Sequence, residues 1–226
     1  MSASPERKSG VARGGSTVLD ELGYLFYSGM QVLKKISASA IQGYRALFSV
    51  DSDLRLQYFL DKGIRYTERG RYGQAMAMLE RVLLERPQDL ETLFHLGFCL
   101  LREDRTEEGI ALLIRAEQLD GTDARISSVL GMAYIQTERY EEAVTMLEKA
   151  LLDNPDNFNL HYRLGLAYDK MADYDKALEA FQTAGRLRPR EPKVYQSIGF
   201  ILEQQGRRDE AVDYFKRAMQ LAEGRS

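Results

Sequence analysis

The sequence predicts an all-α fold, a right-handed superhelical solenoid of antiparallel helix pairs, and three periodic observations carry that expectation. Gly63, Gly97, Gly131, Gly165 and Gly199 recur every 34 residues. Twelve residues after each stands a second small residue (Ala75, Gly109, Ala143, Ala177, Ala211), and sixteen after stands a large apolar one (Leu79, Leu113, Leu147, Phe181, Phe215). Twenty-four residues on, Pro87, Gly121, Pro155 and Pro189 close the unit, and Glu223 breaks the run. Glycine within a helix costs about 1 kcal/mol relative to alanine, so five in phase need a compensating role. Close approach of two helix backbones supplies one.

The units are 56–89, 90–123, 124–157, 158–191 and 192–225. In each, the first helix holds the glycine, with Leu96, Leu130, Leu164 or Ile198 just before it and Tyr66, Leu100, Tyr134, Tyr168 or Leu202 three residues after. The turns Gly70-Arg71-Tyr72, Glu138-Arg139-Tyr140, Ala172-Asp173-Tyr174 and Gly206-Arg207-Arg208 separate the first helix from the second. Gly70 and Gly206 suit the left-handed conformation that closes a helix. Breakers rich in Asp, Asn and Pro, at 86–89 and 153–157, separate the units. The second unit departs most, with Gly109, Thr106 and Gly121 replacing the usual alanine, turn tyrosine and proline; it is expected to be the most mobile. This pattern resembles the tetratricopeptide repeat family over residues 56–225. The resemblance implies a helical scaffold that binds other proteins.

The N-terminus reads differently. Residues 1–16 are small, polar and basic and are expected to be a disordered leader. Residues 17–55 read as a degenerate helix pair, with Gly29 standing 34 before Gly63. Its first helix would use Leu22, Leu25, Phe26 and Val32, and its second Ile41, Tyr44, Leu47 and Phe48, with Lys34 and Lys35 between them. Such an amphipathic pair has three possible fates: a cap on its own solenoid, a docking element for another copy, or a membrane-surface helix.

Composition points to a soluble, cytosolic protein. The chain is 44% hydrophobic, with abundant charge of both signs. A net charge of -3 argues against a nucleic-acid binder. Cys99 is alone, so it forms no intrachain disulfide, and it lies among apolar neighbours as a buried thiol. No constellation promises catalysis. His161 falls where a bulky core residue is expected, and His95 lacks a neighbour at metal-ligand spacing. Residues 153–157 have a calcium-loop composition, but Pro155 falls at a ligand position and Leu164 where the closing glutamate belongs. Glu107, Glu108, Glu141 and Glu142 open second helices, where acidic residues favour the positive end of the dipole. No catalytic residue, metal or cofactor is expected, and the chain is read as a non-enzyme.

What remains is a surface. First helices line the concave wall of such a solenoid, and the positions facing it nominate Leu60, Ile64, Phe94, Phe98, Leu101, Arg125, Met132, Ile135, Tyr162, Arg163, Leu166, Lys193 and Phe200 as a protein-binding groove. An apolar stripe rimmed by positive charge suits an amphipathic helix or an acidic-apolar peptide. Tetratricopeptide co-chaperones that grip a terminal carboxylate carry a lysine three before the first glycine and an asparagine one after. Here Leu60 and Ile64, then Phe94 and Phe98, hold those places, which excludes that specificity.

The stretches 18–21, 32–35, 46–51 and 61–64, followed by Gly70-Arg71-Tyr72 and Gln74-Ala75, resemble magnetosome-associated tetratricopeptide proteins. That resemblance implies a non-catalytic scaffold, peripheral on the cytosolic face of the magnetosome membrane, that binds itself and recruits other magnetosome-associated proteins. Self-assembly would use the N-terminal pair (Leu22, Leu25, Phe26, Val32, Ile41, Tyr44, Phe48) docking into the groove of the next copy. A second reading is a monomeric adaptor that presents the groove to amphipathic helices of a secretion or assembly system.

Overall fold

The structure, a computed structural model, describes residues 14–36 and 52–224. Eleven helices and no strand occur among the described residues: α1 (Gly14–Ile36), α2 (Ser52–Glu68), α3 (Tyr72–Glu85), α4 (Leu90–Arg102), α5 (Thr106–Leu119), α6 (Ala124–Gln136), α7 (Tyr140–Asp153), α8 (Phe158–Lys170), α9 (Tyr174–Leu187), α10 (Pro192–Gln204) and α11 (Arg208–Ala222). From α2 onward they form five hairpins, each stacked on the next. First helices also approach one another, α2 to α4, α4 to α6 and α6 to α8, which sets them on the inner side of the curve.

The glycine periodicity has the expected cause. A Cβ on Gly131 would stand 2.7 Å from Leu147 Cγ, and one on Gly165 would stand 2.7 Å from the Phe181 ring. Gly63, Gly97 and Gly199 meet Leu79, Leu113 and Phe215 in the same way. The small residue twelve positions on lies beneath this crossing, and Ala75, Ala143 and Ala177 have no exposed surface. In the second hairpin a Cβ on Gly109 would approach Gly97 O to 2.8 Å. Glycine on both helices there permits a closer crossing, so the departure from the pattern is a packing adjustment.

Each turn between first and second helices is a Schellman motif. Arg71, Arg105, Arg139, Asp173 and Arg207 donate backbone N–H groups to Tyr66, Leu100, Tyr134, Tyr168 and Leu202 carbonyls. The residue before each donor has positive φ: Gly70 and Gly206 as expected, but also Asp104, Glu138 and Ala172 at 59°. Asp89, Asp123 and Asn157 then cap the following first helices by accepting from backbone N–H groups. His161 Nε2 and Tyr195 Oη, one repeat apart, donate to Pro155 O at 2.7 Å and Pro189 O at 2.8 Å. His161 thus ties down an inter-repeat connection from a half-buried position instead of filling the core.

Of the expected N-terminal helix pair, the described residues hold α1, which runs through Ile36, so Lys34 and Lys35 lie within that helix. It starts at Gly14, inside the expected leader. Ile41, Tyr44, Leu47 and Phe48 lie outside the described residues, as does the rest of the leader. Gly29 keeps the 34-residue phase, but nothing among the described residues lies within 4 Å of a Cβ built on it. One face of α1 closes the N-terminal end of the solenoid. Tyr24 is buried edge-on against Tyr58, Tyr27 Oη donates to Asp61 at 3.1 Å, and Lys62 donates to the buried Asp20 carboxylate. Burial alone would lower the Lys62 ammonium, but hydrogen bonds from it to Asp20 and Tyr58 outweigh that and raise it.

Two substitution sets test this account of the backbone. Ala172→Gly relieves a left-handed alanine and should stabilise the protein by about 0.5–1 kcal/mol, raising Tm by about 2 °C. Gly131→Val should lose about 1–3 kcal/mol through overpacking against Leu147. Gly29→Ala, with open space around it, should instead gain up to about 1 kcal/mol of local helix stability. Thermal unfolding followed by circular dichroism, with hydrogen exchange across α1, reads all three.

Candidate protein-binding surface

The expected groove residues separate into three groups. Leu60, Phe94 and Leu101 are not groove-lining: only 8%, 9% and 5% of their surfaces are exposed, and each belongs to a hydrophobic core cluster. Leu101 lies against Gly109 of its own second helix, and Leu60 and Phe94 belong to clusters that join their own hairpin to the next first helix. Ile64, Phe98, Met132, Ile135, Tyr162 and Leu166 are half-buried, with one side on the core and one toward solvent. Phe98 lies edge-on to Tyr72, and Tyr162 stacks on Phe158 and reaches Ser197 Oγ at 3.4 Å. Phe200 is 58% exposed and rests edge-on against Phe215, at the open C-terminal end of the wall. The half-buried and exposed members run along the first helices from Ile64 and Phe98 to Phe200.

The cations of the wall are not equivalent. Arg125 is held by Glu91 at 2.6 Å and Asp123 at 2.7 Å and lies 5.0 Å from the Phe94 ring centroid. Hydrogen bonds to Asp123 and Glu91 raise its pKa far above the ordinary range. Its partners occupy it. Lys193 is exposed. Arg163 is half-buried with no ion pair, hydrogen bond or ring contact among the described residues, and burial pushes its guanidinium down.

Among the described residues, α1 carries more exposed large apolar side chains than any other helix. Leu22, Leu25 and Phe26, expected for self-assembly, are exposed together with Val18, Leu19 and Met30, at between 49% and 76% each. Val32 is half-buried. Val18, Leu22, Phe26 and Met30 form one i,i+4 stripe, opposite the face that carries Asp20, Tyr24 and Tyr27. The spacing of Val18 and Met30 was present in the sequence and extends the expected set. No local signal could pair Asp20 with Lys62, because that contact spans 42 residues.

Several other polar groups have structural partners, whereas Arg55 Nε and His95 Nδ1 are buried without one among the described residues. Cys99 is buried beside Thr67 Oγ1 at 3.2 Å, and burial pushes its thiol up, which makes it a poor nucleophile. Burial pushes the His95 imidazole down, so it stays neutral at physiological pH, with Nε2 3.4 Å from Glu91. Glu108, Glu142 and Glu210 pair with the turn residues Arg105, Arg139 and Arg207 at 2.7–2.9 Å. Among the described residues no group of three His, Cys, Asp or Glu side chains could hold a metal ion, and no helix is long and apolar enough to cross a membrane.

Comparison with known proteins agrees with this architecture. Residues 158–191 and 192–225 match the profile described as "Tetratricopeptide repeat", and 131–171 match "TPR repeat". Residues 68–150 match the profile of anaphase-promoting complex subunit 3. Over 82 residues the chain is 40% identical to "Magnetosome protein MamA" of Magnetospirillum gryphiswaldense and 39% identical to that of Paramagnetospirillum magneticum. Those residues are 36% of this chain and span 38% of the length of each relative. A solved structure of MamA MSR-1 superposes with a TM-score of 0.73 at 37% identity, covering 76% of this chain and 99% of that one. A solved structure of MamA AMB-1 gives 0.72 at 39%, covering 77% and 95%. With the glycine crossings, the Schellman turns and the stacked hairpins, these matches show that the chain belongs to the tetratricopeptide repeat family and is similar to MamA.

Proposed function

We propose that this protein is a non-catalytic scaffold that assembles with copies of itself and recruits other proteins to the magnetosome membrane surface. One observation carries the reading: α1 has two working faces. Its polar and aromatic face is spent on closing the solenoid, through Asp20, Tyr24 and Tyr27. Its opposite face leaves a stripe of large apolar side chains in water. A monomer gains nothing from that exposure, whereas an assembly buries it. The helix is therefore a cap for its own chain and a docking element for the next.

The receptor is the concave wall, whose half-buried side chains Phe98, Met132, Ile135 and Leu166 offer an apolar floor. Helix-in-groove contacts use apolar anchors on one helix face, and Val18, Leu22, Leu25 and Phe26 supply them at i, i+4, i+7 and i+8. A specific contact needs about 1,200 Å² or more of total buried area. The contact joins two different surfaces, so it need not close and can extend into a coat. Many copies then hold weak membrane partners by avidity. The magnetosome setting is supported by the likeness to relatives named as magnetosome proteins, and the proposal places the scaffold on the cytosolic face of that membrane.

Sedimentation velocity on the full chain tests the self-assembly. Leu22→Asp with Phe26→Asp leaves the capping face intact and should convert large species to monomer with unchanged helicity. Phe98→Glu with Leu166→Glu should weaken assembly from the receptor side. Parent protein that stays monomeric at all concentrations would support the adaptor reading instead.

A further inference from the structure

The two proposed docking surfaces each carry a charge with no partner among the described residues. Among residues 18–32 only Asp20 and Glu21 are charged. Asp20 is tied to Lys62 across the capping contact. Glu21 is exposed and has no partner among the described residues. On the helix it lies three residues after Val18 and four before Leu25, so it borders the apolar stripe on one side.

On the wall both Lys193 and Arg163 lack a partner among the described residues, and Arg163 is the half-buried one. Its place in α8 corresponds to that of Ser197 in α10, whose hydroxyl faces Tyr162 of the preceding first helix at 3.4 Å. By the same register Arg163 stands toward Ser128, across the seam between α6 and α8, with Asn159 and Leu166 one turn away on its own helix. A partly desolvated guanidinium without a carboxylate is costly, and a planar fork accepts a carboxylate through two parallel hydrogen bonds. Arg125, on the same wall, shows such a guanidinium already satisfied by two carboxylates of its own chain.

We propose that Glu21 of one copy pairs with Arg163 of the next, and that this pair sets the register and direction of α1 in the groove. This inference rests on the self-assembly reading above and deepens it. The apolar contacts supply most of the attraction. The ion pair selects one orientation, because a reversed or slipped α1 leaves Arg163 facing leucine or phenylalanine.

Charge exchange tests the pair in the full-length protein by sedimentation velocity. Glu21→Lys and Arg163→Glu should each weaken self-association by about tenfold or more. The two together should return it to within about threefold of the parent. Arg163→Gln, matched to parent helicity by circular dichroism, should weaken association as the charge reversal does. Unaffected single variants, or a double variant weaker than either single, overturn the pair. If that happens while Leu22→Asp with Phe26→Asp still dissociates the assembly, the docking reading survives and only the ionic register is wrong. If the stripe variants leave the assembly intact, docking itself fails. Glu21→Lys that keeps the parent's assembly but binds anionic phosphatidylserine vesicles more tightly assigns the stripe to lipid and also overturns the proposal.

Discussion

The architecture depends on one contact, repeated five times: a glycine backbone on a first helix pressed against a leucine or phenylalanine of its own second helix. That contact fixes the crossing of each hairpin. Because the buried alanines below it recur in the same phase, each hairpin offers the next an identical seat. The first helices consequently converge on one side, where α2, α4, α6 and α8 approach their neighbours. A side chain added at the crossing would push the pair apart, and the resulting change in angle would propagate to every later unit. The wall exists because these positions hold no side chain.

The parts of the fold that follow from period and sterics were legible in the sequence. The hairpins, their turns and the left-handed Gly70 and Gly206 could be read there because glycine has few other reasons to recur. The same reading could not foresee Asp104, Glu138 and Ala172 in the left-handed region. There the Schellman hydrogen bonds impose the conformation whatever the side chain. Facing was harder than spacing. Leu60, Phe94 and Leu101 have the same period as true wall residues, but packing against Gly109 or within clusters that join neighbouring hairpins buries them. Such packing is a tertiary property with no local sequence signal. The capping face of α1 was hidden for a related reason, since its partners Tyr58, Asp61 and Lys62 lie about 40 residues downstream and only the fold brings them together.

On the proposed reading, the N-terminal helix serves two of the fates that the sequence left open. Cap and docking element looked like alternatives, since a single amphipathic face cannot serve both. In α1 the intramolecular face carries Asp20, Tyr24 and Tyr27, while the outward stripe is wholly apolar. The proposed division of labour follows from that chemistry. Asp20 and Lys62 gain from a fixed geometry in a partly buried place, and the leucines and Phe26 gain from any sufficiently dry surface. In the proposed scaffold, a copy capped in this way keeps its solenoid end closed while its outer face enters another copy, and the assembly is open-ended.

Photo-cross-linking between isotopically distinct copies tests the central claim most directly. A benzophenone amino acid at position 26 of an unlabelled chain, mixed with nitrogen-15-labelled chains, reports what the outer face of α1 touches in the assembly. The account predicts cross-links from labelled to unlabelled chains, concentrated in α6 and α8 around Met132, Ile135 and Leu166. Cross-links confined to the same chain, or between copies but on the convex second helices, would contradict it.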